Sequence, residues 1–317
     1  MANHIVESNR LDRFDPQALA NVVWAYATVG TLHPMLLEKV ANHIVSTNIL
    51  DRFDPQNIAN TVWAYATVGD LHPTLFEKLS NHIIESNTLD RFDPQALANT
   101  LWAYASMGMA NKQLFTMCAL NAANLIDSFN SQELANLAWT YTVADIDAST
   151  LFNDHFISAC VSKMEQFEIE DFSQLYQWHL WHTHKMSSAG LPDELSQRCF
   201  EVFISREVTV SRFQDDVVAQ LSAIGLVPKE EVLLDSGYRI DAVVEVNGKD
   251  IGIEVDGPCH FIGKTKSPTG RTVLKRRQVP SIDGIELVSL PYWKWDRLGW
   301  NDEKKQENLR RLLSITD

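Results

Sequence analysis

The stretch FDPQALANVVWAYATVG, Phe14–Gly30, is the first copy of a repeat that decides the fold of the N-terminal part of the chain. It returns as FDPQNIANTVWAYATVG from Phe53 and as FDPQALANTLWAYASMG from Phe92, with a period of 39 residues. A shorter match, FNSQELANLAWTY, begins at Phe129. Periods of this length are typical of stacked helical hairpins, because one hairpin is too small to bury its own apolar face. The repeat therefore predicts an α-helical solenoid.

Each copy carries signals for the start and the end of its first helix. In the Asp-Pro-Gln sequence the aspartate suits the N-cap, and the proline suits the first helical position, which needs no backbone N–H. Gly30 and Gly69 are predicted to end the first two of these helices. A second helix is predicted to begin at Pro34 and again at Pro73, with its apolar residues on one face.

The repeats also set the predicted domain boundaries. They cover residues 1–190, with four clear copies and a degenerate fifth, FSQLYQWHLW, that begins at Phe172. A linker or capping helix is predicted over 191–206, and a different domain over 207–317.

Two residue types recur at fixed positions of the first helix. The tryptophans are predicted to pack in the core or between repeats, since large aromatic side chains at helical spacing usually do so. The asparagines have two interpretations, because their amides could read RNA bases, one per repeat, or could satisfy backbone groups between repeats. The asparagines are Asn21, Asn60, Asn99 and Asn136, and the tryptophans are Trp24, Trp63, Trp102 and Trp139.

Composition excludes several classes of protein. With 45% hydrophobic and 21% charged residues, the chain is globular and not disordered. No apolar run approaches the ~20 residues that a membrane span needs, and the four cysteines form no CxxC pair, which predicts reduced intracellular thiols. The N-terminus shows no signal or transit peptide. Because Asn3-His4 matches the Asn-His pairs at 42–43 and 81–82, the chain is predicted to begin inside a repeat, as a fragment would.

The formal net charge is −14, but the positive charge is concentrated in one place. Residues 1–190 hold 9 basic and 20 acidic side chains, and residues 191–317 hold 18 and 21. The stretch from Ile262 to Ile282 contains six basic side chains and no acidic one. A local field of this kind matters more for phosphate binding than the net charge does. The six are Lys264, Lys266, Arg271, Lys275, Arg276 and Arg277.

A β-hairpin with carboxylates on one face is predicted near the C-terminus. The segments YRIDAVVEV and KDIGIEVD flank Asn247-Gly248, a strong signal for a two-residue type I′ turn. Counting back from the turn places Asp241 opposite Glu254, with Asp256 on the same face. Facing carboxylates repel each other, so a bound cation, a nearby Arg or Lys, or a raised pKa must offset the repulsion. The other face is predicted to carry Ile240, Ala242, Val244, Val246, Ile251, Ile253 and Val255.

The order of elements around this hairpin predicts a fold. A helix and a short apolar strand come before the hairpin, and a helix, a strand and a final helix follow it. With the carboxylates on the second and third strands, this is the layout of the restriction-endonuclease-like α/β fold. The last predicted strand runs into the aromatic residues Tyr292, Trp293 and Trp295.

Both parts of the chain resemble families of organellar RNA-binding proteins. The FDPQxLANxxWAxA core resembles octotricopeptide and heptatricopeptide-type helical repeats, over about Asn3 to His184. The motifs YRIDAVV, IGIEVDGPCHF, GRTVLKRRQV and IELVSLPYWKW resemble a RAP domain, over about Tyr238 to Leu313. Repeats followed by a RAP domain are the layout of mitochondrial FAST-kinase-like proteins and of algal and plant chloroplast RNA factors. The resemblance implies RNA processing, stability or translation, including ribosomal RNA maturation, in a mitochondrion or chloroplast.

RAP domains are in turn similar to very-short-patch-repair and other PD-(D/E)xK nucleases. This similarity implies that Asp241 and Glu254 would hold Mg²⁺ or Mn²⁺, which prefer such oxygen ligands, and that His260 could act as the base. Asp256, however, stands where those nucleases have a lysine that stabilises hydroxide or phosphate charge. The candidates to replace that lysine are Lys264 and Lys275.

The sequence supports three hypotheses about function. The first is an RNA-binding protein that needs no cofactor, binds single-stranded messenger or ribosomal RNA and works with other organellar RNA-processing proteins. In it the six cations contact phosphates, and Tyr292, Trp293 and Trp295 stack on bases, although at least two of these aromatics are expected in the core. The second is a metal-dependent endoribonuclease that uses the three carboxylates and His260. The third is a protein-binding solenoid; none of the three involves a membrane.

Overall fold

The computed structural model describes residues 11–30, 33–86, 88–186, 189–205 and 211–315, and its N-terminal part is a series of helix pairs. The odd-numbered helices are the first helices of the repeats, and α2, α4, α6 and α8 are the second helices, which confirms the predicted solenoid. α10 lies in the segment predicted as a linker or capping helix and packs against α9. None of the helices in these ranges is long and apolar enough to cross a membrane. In chain order the helices are α1 (Pro16–Thr28), α2 (Pro34–Ser46), α3 (Pro55–Val68), α4 (Pro73–Ser86), α5 (Pro94–Ser106), α6 (Lys112–Asn124), α7 (Ser131–Ala144), α8 (Asp154–Ser162), α9 (Ile169–Met186) and α10 (Asp193–Ile204).

The first helices begin where the Asp-Pro signal predicts. The carboxylates of Asp15, Asp54 and Asp93 each accept a hydrogen bond of 2.7 Å from the backbone N–H three residues later. α7 begins with Asn130 in a capping box. α3 ends at Gly69, whose φ of +67° is the left-handed conformation that glycine adopts at helix ends.

The fifth repeat starts earlier in the chain than predicted. A short 3-10 turn precedes the phenylalanine that opens each repeat, and the fifth such turn, Met164–Gln166, precedes Phe167. α9 then begins at Ile169, so the predicted start at Phe172 is wrong. The Asp-Pro pair is absent from this copy, and aromatic spacing alone selects the wrong phenylalanine.

A buried tyrosine ties each of the second, third and fourth repeats to the repeat before it. The hydroxyl of Tyr65 donates a hydrogen bond of 2.6 Å to the carbonyl of Leu37, in the second helix of the preceding repeat. Tyr104 and Tyr141 donate equivalent bonds of 2.7 Å to carbonyls of α4 and α6. Because these side chains are at most 1% exposed, an unpaired hydroxyl would be costly there. The repeated tyrosine therefore fixes the stacking of successive repeats.

The C-terminal domain is a four-stranded sheet with helices on both faces. The strand order is β1-β2-β3-β4, in which β1, β2 and β3 are antiparallel neighbours and β4 runs parallel to β3. Val246 pairs with Lys249 across Asn247-Gly248, which confirms the predicted turn and register. The elements are α11 (Arg212–Ala223), β1 (Lys229–Leu233), β2 (Arg239–Val246), β3 (Lys249–Asp256), α12 (Gly270–Ile282), β4 (Glu286–Pro291), α13 (Tyr292–Asp296) and α14 (Asp302–Leu312).

One face of the sheet is apolar as predicted, with one exception. Ala242, Val244 and Ile253 pack there against α11 and α14. Ile240 instead lies in a cluster with Val279 of α12, on the other side of the sheet, so its predicted position is wrong.

The position of Ile240 on the other side of the sheet is explained by the next residue, Asp241. Regular pairing of β2 with β3 ends at Ala242 and Ile253. Beyond it, the carboxylate of Asp241 accepts the backbone N–H of Val255 at 2.6 Å. A side chain thus replaces a backbone carbonyl in the ladder, and the alternation of faces that the turn imposes stops there.

Helix α12 joins the C-terminal domain to the repeats. It packs against α5, α7 and α9. Arg277 donates hydrogen bonds to the carbonyl oxygens of Thr142 and Val143, at the negative end of α7. Gln278 donates one of 2.8 Å to the carbonyl of Gln177 in α9.

The loop before α12 reaches the second repeat. Gly263 lies against Gly69 so closely that a Cβ on Gly263 would overlap the carbonyl oxygen of Gly69. Gly263 also has a φ of +49°, a region that favours glycine. The C-terminal domain therefore lies along several repeats and encloses the space between.

Candidate nucleic-acid interface

A cleft of about 700 Å³ lies between the first helices of the repeats and the C-terminal domain. Trp102, Trp139 and Gln174 line it from the repeats, and Arg271 and Lys275 line it from the other domain. Residue types that the sequence singles out in two separate regions therefore meet in one opening.

The charges that line the cleft are balanced. Arg271 lies 3.5 Å from the carboxylate of Glu170, and Arg239 donates a hydrogen bond of 3.0 Å to the backbone carbonyl of Glu231. Three basic and three acidic side chains of the described residues line the cleft. The cleft is therefore polar without being strongly positive. The basic side chains are Arg239, Arg271 and Lys275, and the acidic ones are Glu170, Glu231 and Asp241.

The predicted repulsion between the hairpin carboxylates is offset by Lys275. Its Nζ lies 2.6 Å from the carboxylate of Glu254, a residue that is only 2% exposed. Burial raises the pKa of Glu254 to about 7, although the Lys275 ammonium opposes the shift. Burial also raises the pKa of Asp241, again against the ammonium of Lys275. Of the two lysines considered for this place, the structure brings Lys275 to the carboxylates.

Asp256 is fully buried and held by three partners. Arg276 Nη2 lies 2.6 Å from its carboxylate, His260 Nδ1 lies 2.9 Å away, and the hydroxyl of Ser289 also donates to it. Burial alone would raise the pKa of Asp256, but the hydrogen bonds from His260 and Ser289 and the Arg276 guanidinium outweigh burial, so the pKa lies below its usual value. Asp256 is therefore an ionised anchor inside the domain.

The asparagine row lies on one surface of the first helices, which we call the amide face. Asn21 is exposed on it, and Asn60, Asn99 and Asn136 are half-buried. Asn136 Oδ1 accepts a hydrogen bond of 3.1 Å from Nε2 of Gln174 in the next repeat. One amide thus bridges two repeats, while the others lie at or near the surface.

Gln174 is a member of this row that the sequence did not predict. It follows Phe167 by the same number of residues that separates Asn136 from Phe129. Starting the fifth repeat at Phe172 hides this match, so the 3-10 turn before Phe167 is the signal that would have found it.

The tryptophan row shares the amide face. Trp24 is 43% exposed, Trp63 and Trp102 are half-buried, and Trp139 is only 6% exposed. The predicted packing role therefore describes Trp139 well, whereas the earlier tryptophans keep part of their rings at the surface.

Comparison with known families assigns both parts of the chain. Residues 1–212 match the family described as RNA-editing substrate-binding complex 6 protein. The chain belongs to this family. Residues 253–312 match the RAP domain, which confirms the resemblance of the C-terminal domain.

A rice protein matches part of the chain. The "RAP domain-containing protein, chloroplastic" of Oryza sativa subsp. japonica is 38% identical over 105 residues. The match covers 33% of this chain and 16% of the rice protein. This chain thus corresponds to a small share of that relative's length.

The six cations of the RAP domain have different surroundings. Arg276 and Arg277 are bonded to Asp256 and to the carbonyls of α7, as described above. Lys264, Lys266 and Arg271 are exposed, and Lys266 Nζ lies 5.9 Å from the ring centre of Trp293. A phosphate could therefore reach these three more readily than Arg276, Arg277 or Lys275, which is paired with Glu254.

The aromatic residues of the RAP domain also divide. Trp295 is 4% exposed and donates a hydrogen bond of 2.7 Å to Asp216, which is a core role. Tyr292 and Trp293 are half-buried around Phe261, whose ring centre is 4.2 Å from that of Trp293. Tyr292 and Trp293 thus keep surface that a base could contact.

The acidic residues of the RAP domain do not fit a metal centre. In the part of the chain that the structure describes, no three His, Cys, Asp or Glu side chains converge as ligands. Glu254 is occupied by Lys275, and Asp256 by Arg276 and His260. The endoribonuclease hypothesis, with Mg²⁺ or Mn²⁺ on Asp241 and Glu254, therefore stays a prediction.

Proposed function

We propose that the protein binds single-stranded RNA between the amide face and the RAP domain and acts in organellar RNA processing. The work would be done in a mitochondrion or chloroplast, on messenger or ribosomal RNA, together with other RNA-processing proteins. Processing here includes RNA stability, translation and ribosomal RNA maturation. RNA binding itself needs no cofactor.

The observation that carries this proposal is that two kinds of RNA-recognising group share one opening. Gln174 of the amide face lines the cleft, and its amide can bond to the edge of an unpaired base. Arg271 lies across the same cleft and is exposed, so it can contact a phosphate, whereas Lys275 beside it is paired with Glu254. A strand lying in the cleft would meet both groups at once.

The families support the partners and the compartment of the proposal. The family of this chain is named for an RNA-editing substrate-binding complex, which points to RNA and to a multiprotein assembly. The rice relative is named chloroplastic, which supports an organelle. The match covers only 16% of the rice protein, so the role of this chain in organellar RNA processing is part of the proposal.

The test is RNA binding measured at several salt concentrations. A labelled single-stranded RNA of mixed sequence is titrated with the wild type and with a triple variant, Lys264→Ala, Lys266→Ala and Arg271→Ala. We expect the triple variant to bind about tenfold more weakly at low salt. Its salt slope should be smaller by about 0.7 for each phosphate that the variant no longer neutralises.

A matched control removes the same charge elsewhere. Lys112, Lys249 and Lys304 are exposed and lie outside the basic segment 262–282, so their replacement by Ala should leave the slope close to that of the wild type. Failure of the wild type to bind RNA would overturn the proposal and favour a protein-binding solenoid. Equal reductions of affinity in the two triple variants would show that total charge, and not the cleft, governs binding.

The same RNA tests the nuclease hypothesis. Incubation in Mg²⁺ or Mn²⁺ is compared for the wild type, Asp241→Asn and Glu254→Gln. We expect intact RNA in all three, because Lys275 occupies Glu254. Metal-dependent cleavage that both substitutions abolish would replace binding with catalysis as the function.

A further inference from the structure

The amide face is almost free of charge over the first four repeats. α1, α3 and α5 contain no Lys, Arg, Asp or Glu, and α7 contains only Glu133. The cations of the early repeats lie in the 3-10 turns and the second helices, where Lys78 is bonded to carbonyls at the end of α2. The first helices of these four repeats therefore offer no cation to a phosphate.

Each of the first four repeats instead presents an amide beside an indole. The tryptophan follows the asparagine by three residues, as in Asn21 and Trp24, and residues three apart are neighbours on a helix. Amides can bond to base edges, and indole rings stack on base faces. Both groups suit the bases of a strand, and neither requires its phosphates.

The first pair of indoles is slightly too close to hold a base without a movement of one ring. The ring centres of Trp24 and Trp63 are 6.5 Å apart and their planes are tilted by 35°. A ring sandwiched between two others needs roughly 7 Å, twice an ordinary carbon contact. A small rotation of the exposed Trp24 would therefore admit one base.

The row leads to the RAP domain. Trp102 and Trp139 line the cleft that Arg271 and Lys275 close from the other side. A strand that runs along the amide face would thus enter the region where the exposed cations lie.

We infer that the first helices bind the bases of unpaired RNA by stacking on Trp24, Trp63 and Trp102, with the phosphates turned away from the helices. This inference rests on the proposed function and adds a division of labour to it. The repeats supply affinity that depends little on salt, and the RAP domain supplies the salt-dependent share. Duplex RNA, whose bases are already stacked and paired, is excluded as a ligand of the row.

The experiment uses the full chain and three probes. They are a single-stranded RNA, the same strand with abasic sites, which keeps its phosphates, and the corresponding duplex. The variants are Trp24→Ala, Trp63→Ala and Trp24→Phe. Trp300→Ala is the matched control, because Trp300 is a fully exposed tryptophan outside the row.

We expect Trp24→Ala to weaken binding of the single strand by about 5- to 150-fold, the range for removal of one stacked base. Its salt slope should equal that of the wild type, because the substitution removes no charge. Trp24→Phe should keep most of the affinity, and Trp300→Ala all of it. The abasic strand should bind weakly, and its affinity should change little and by the same amount in every tryptophan variant.

The results separate this inference from the proposed function. If Trp24→Ala and Trp63→Ala bind the single strand as Trp300→Ala does, while the cation variant fails to bind, RNA binding stands and the stacking row is refuted. If the wild type binds no RNA, both fall. The melting temperature of each variant shows whether it is folded, and the 43% exposure of Trp24 makes its replacement the safer of the two.

Discussion

Helices α3, α5 and α7 of the repeats and helix α12 of the RAP domain line the same cleft, yet they differ in charge. α3 and α5 have no charged side chain and α7 has only Glu133, whereas α12 has four cations. Three of those four are bonded inside the protein: Lys275 to Glu254, Arg276 to Asp256 and Arg277 to carbonyls of α7. Neutral amides and indoles can remain open to a ligand, but charges that the fold buries must be paired. A run of basic residues in the sequence is therefore weak evidence for a phosphate-binding site, because the fold can pair most of those residues internally.

The largest effect is expected when a paired cation of α12 is removed. In Arg276→Met the carboxylate of Asp256, whose side chain is 1% exposed, is left without its guanidinium partner. We expect the free energy of unfolding to fall by about 3–5 kcal/mol, the cost of leaving one partner of a buried pair. Urea unfolding at neutral pH measures it.

Its control is on the same helix. Arg271 is 66% exposed, so Arg271→Met should change the free energy of unfolding by less than about 0.5 kcal/mol. Equal destabilisation of the two variants would show that Arg276 has no special structural role. Adding Asp256→Asn to Arg276→Met should restore part of the stability, because it removes the unpaired charge.

A second prediction concerns pH and the pair of Glu254 with Lys275. Burial raises the folded-state pKa of Glu254 from 4.5 to about 7. Between about pH 4.5 and about pH 7, Glu254 holds a proton in the folded protein that it has released in the unfolded chain. The contribution of Glu254 to the free energy of unfolding is therefore lost as the pH rises through this range. Relative to wild type, Glu254→Gln should gain on the order of 3 kcal/mol in unfolding free energy between about pH 4.5 and about pH 8.

The measurement is urea unfolding of both proteins across that range. Glu307→Gln, an exposed change in α14, should show no such trend against wild type. A difference between Glu254→Gln and wild type that is constant with pH would mean that Glu254 titrates normally.

The smallest expected effect concerns the stability contributed by the asparagines of the repeats. Asn136 bonds to Gln174, whereas Asn21 is exposed. Asn136→Ala should lower the free energy of unfolding by about 1 kcal/mol, the usual value of one hydrogen bond, and Asn21→Ala should lower it less. Thermal unfolding of both variants checks this. A larger destabilisation in Asn21→Ala would contradict the assignment of Asn136 as the bridging amide.

Much of the fold could be predicted from local signals. The 39-residue period, the Asp-Pro caps and the Asn247-Gly248 turn depend on residues close together in the chain, and the structure confirms each. The predicted start of the fifth repeat lies too late in the chain because this copy lacks the Asp-Pro pair, which leaves only aromatic spacing to mark its start.

The candidate site was less predictable. The hairpin register predicts that Asp241 and Glu254 face each other, but the ladder ends at Asp241, where a side chain replaces a backbone carbonyl. Arg277 and its acceptor Thr142 are 135 residues apart, so no local pattern marks their contact. The cleft itself depends on how α12 packs across three repeats.

The sequence by itself determined the repeating helices, the neutral row of amides and indoles, and the turn and strand order of the RAP domain. These features depend on backbone preferences and periodicity, which act over a few residues. Only the tertiary structure decided which cations are paired inside the protein and which tryptophans remain exposed. Burial and ion pairing depend on side chains brought together from distant parts of the chain, and their free energies exist only once those parts have packed.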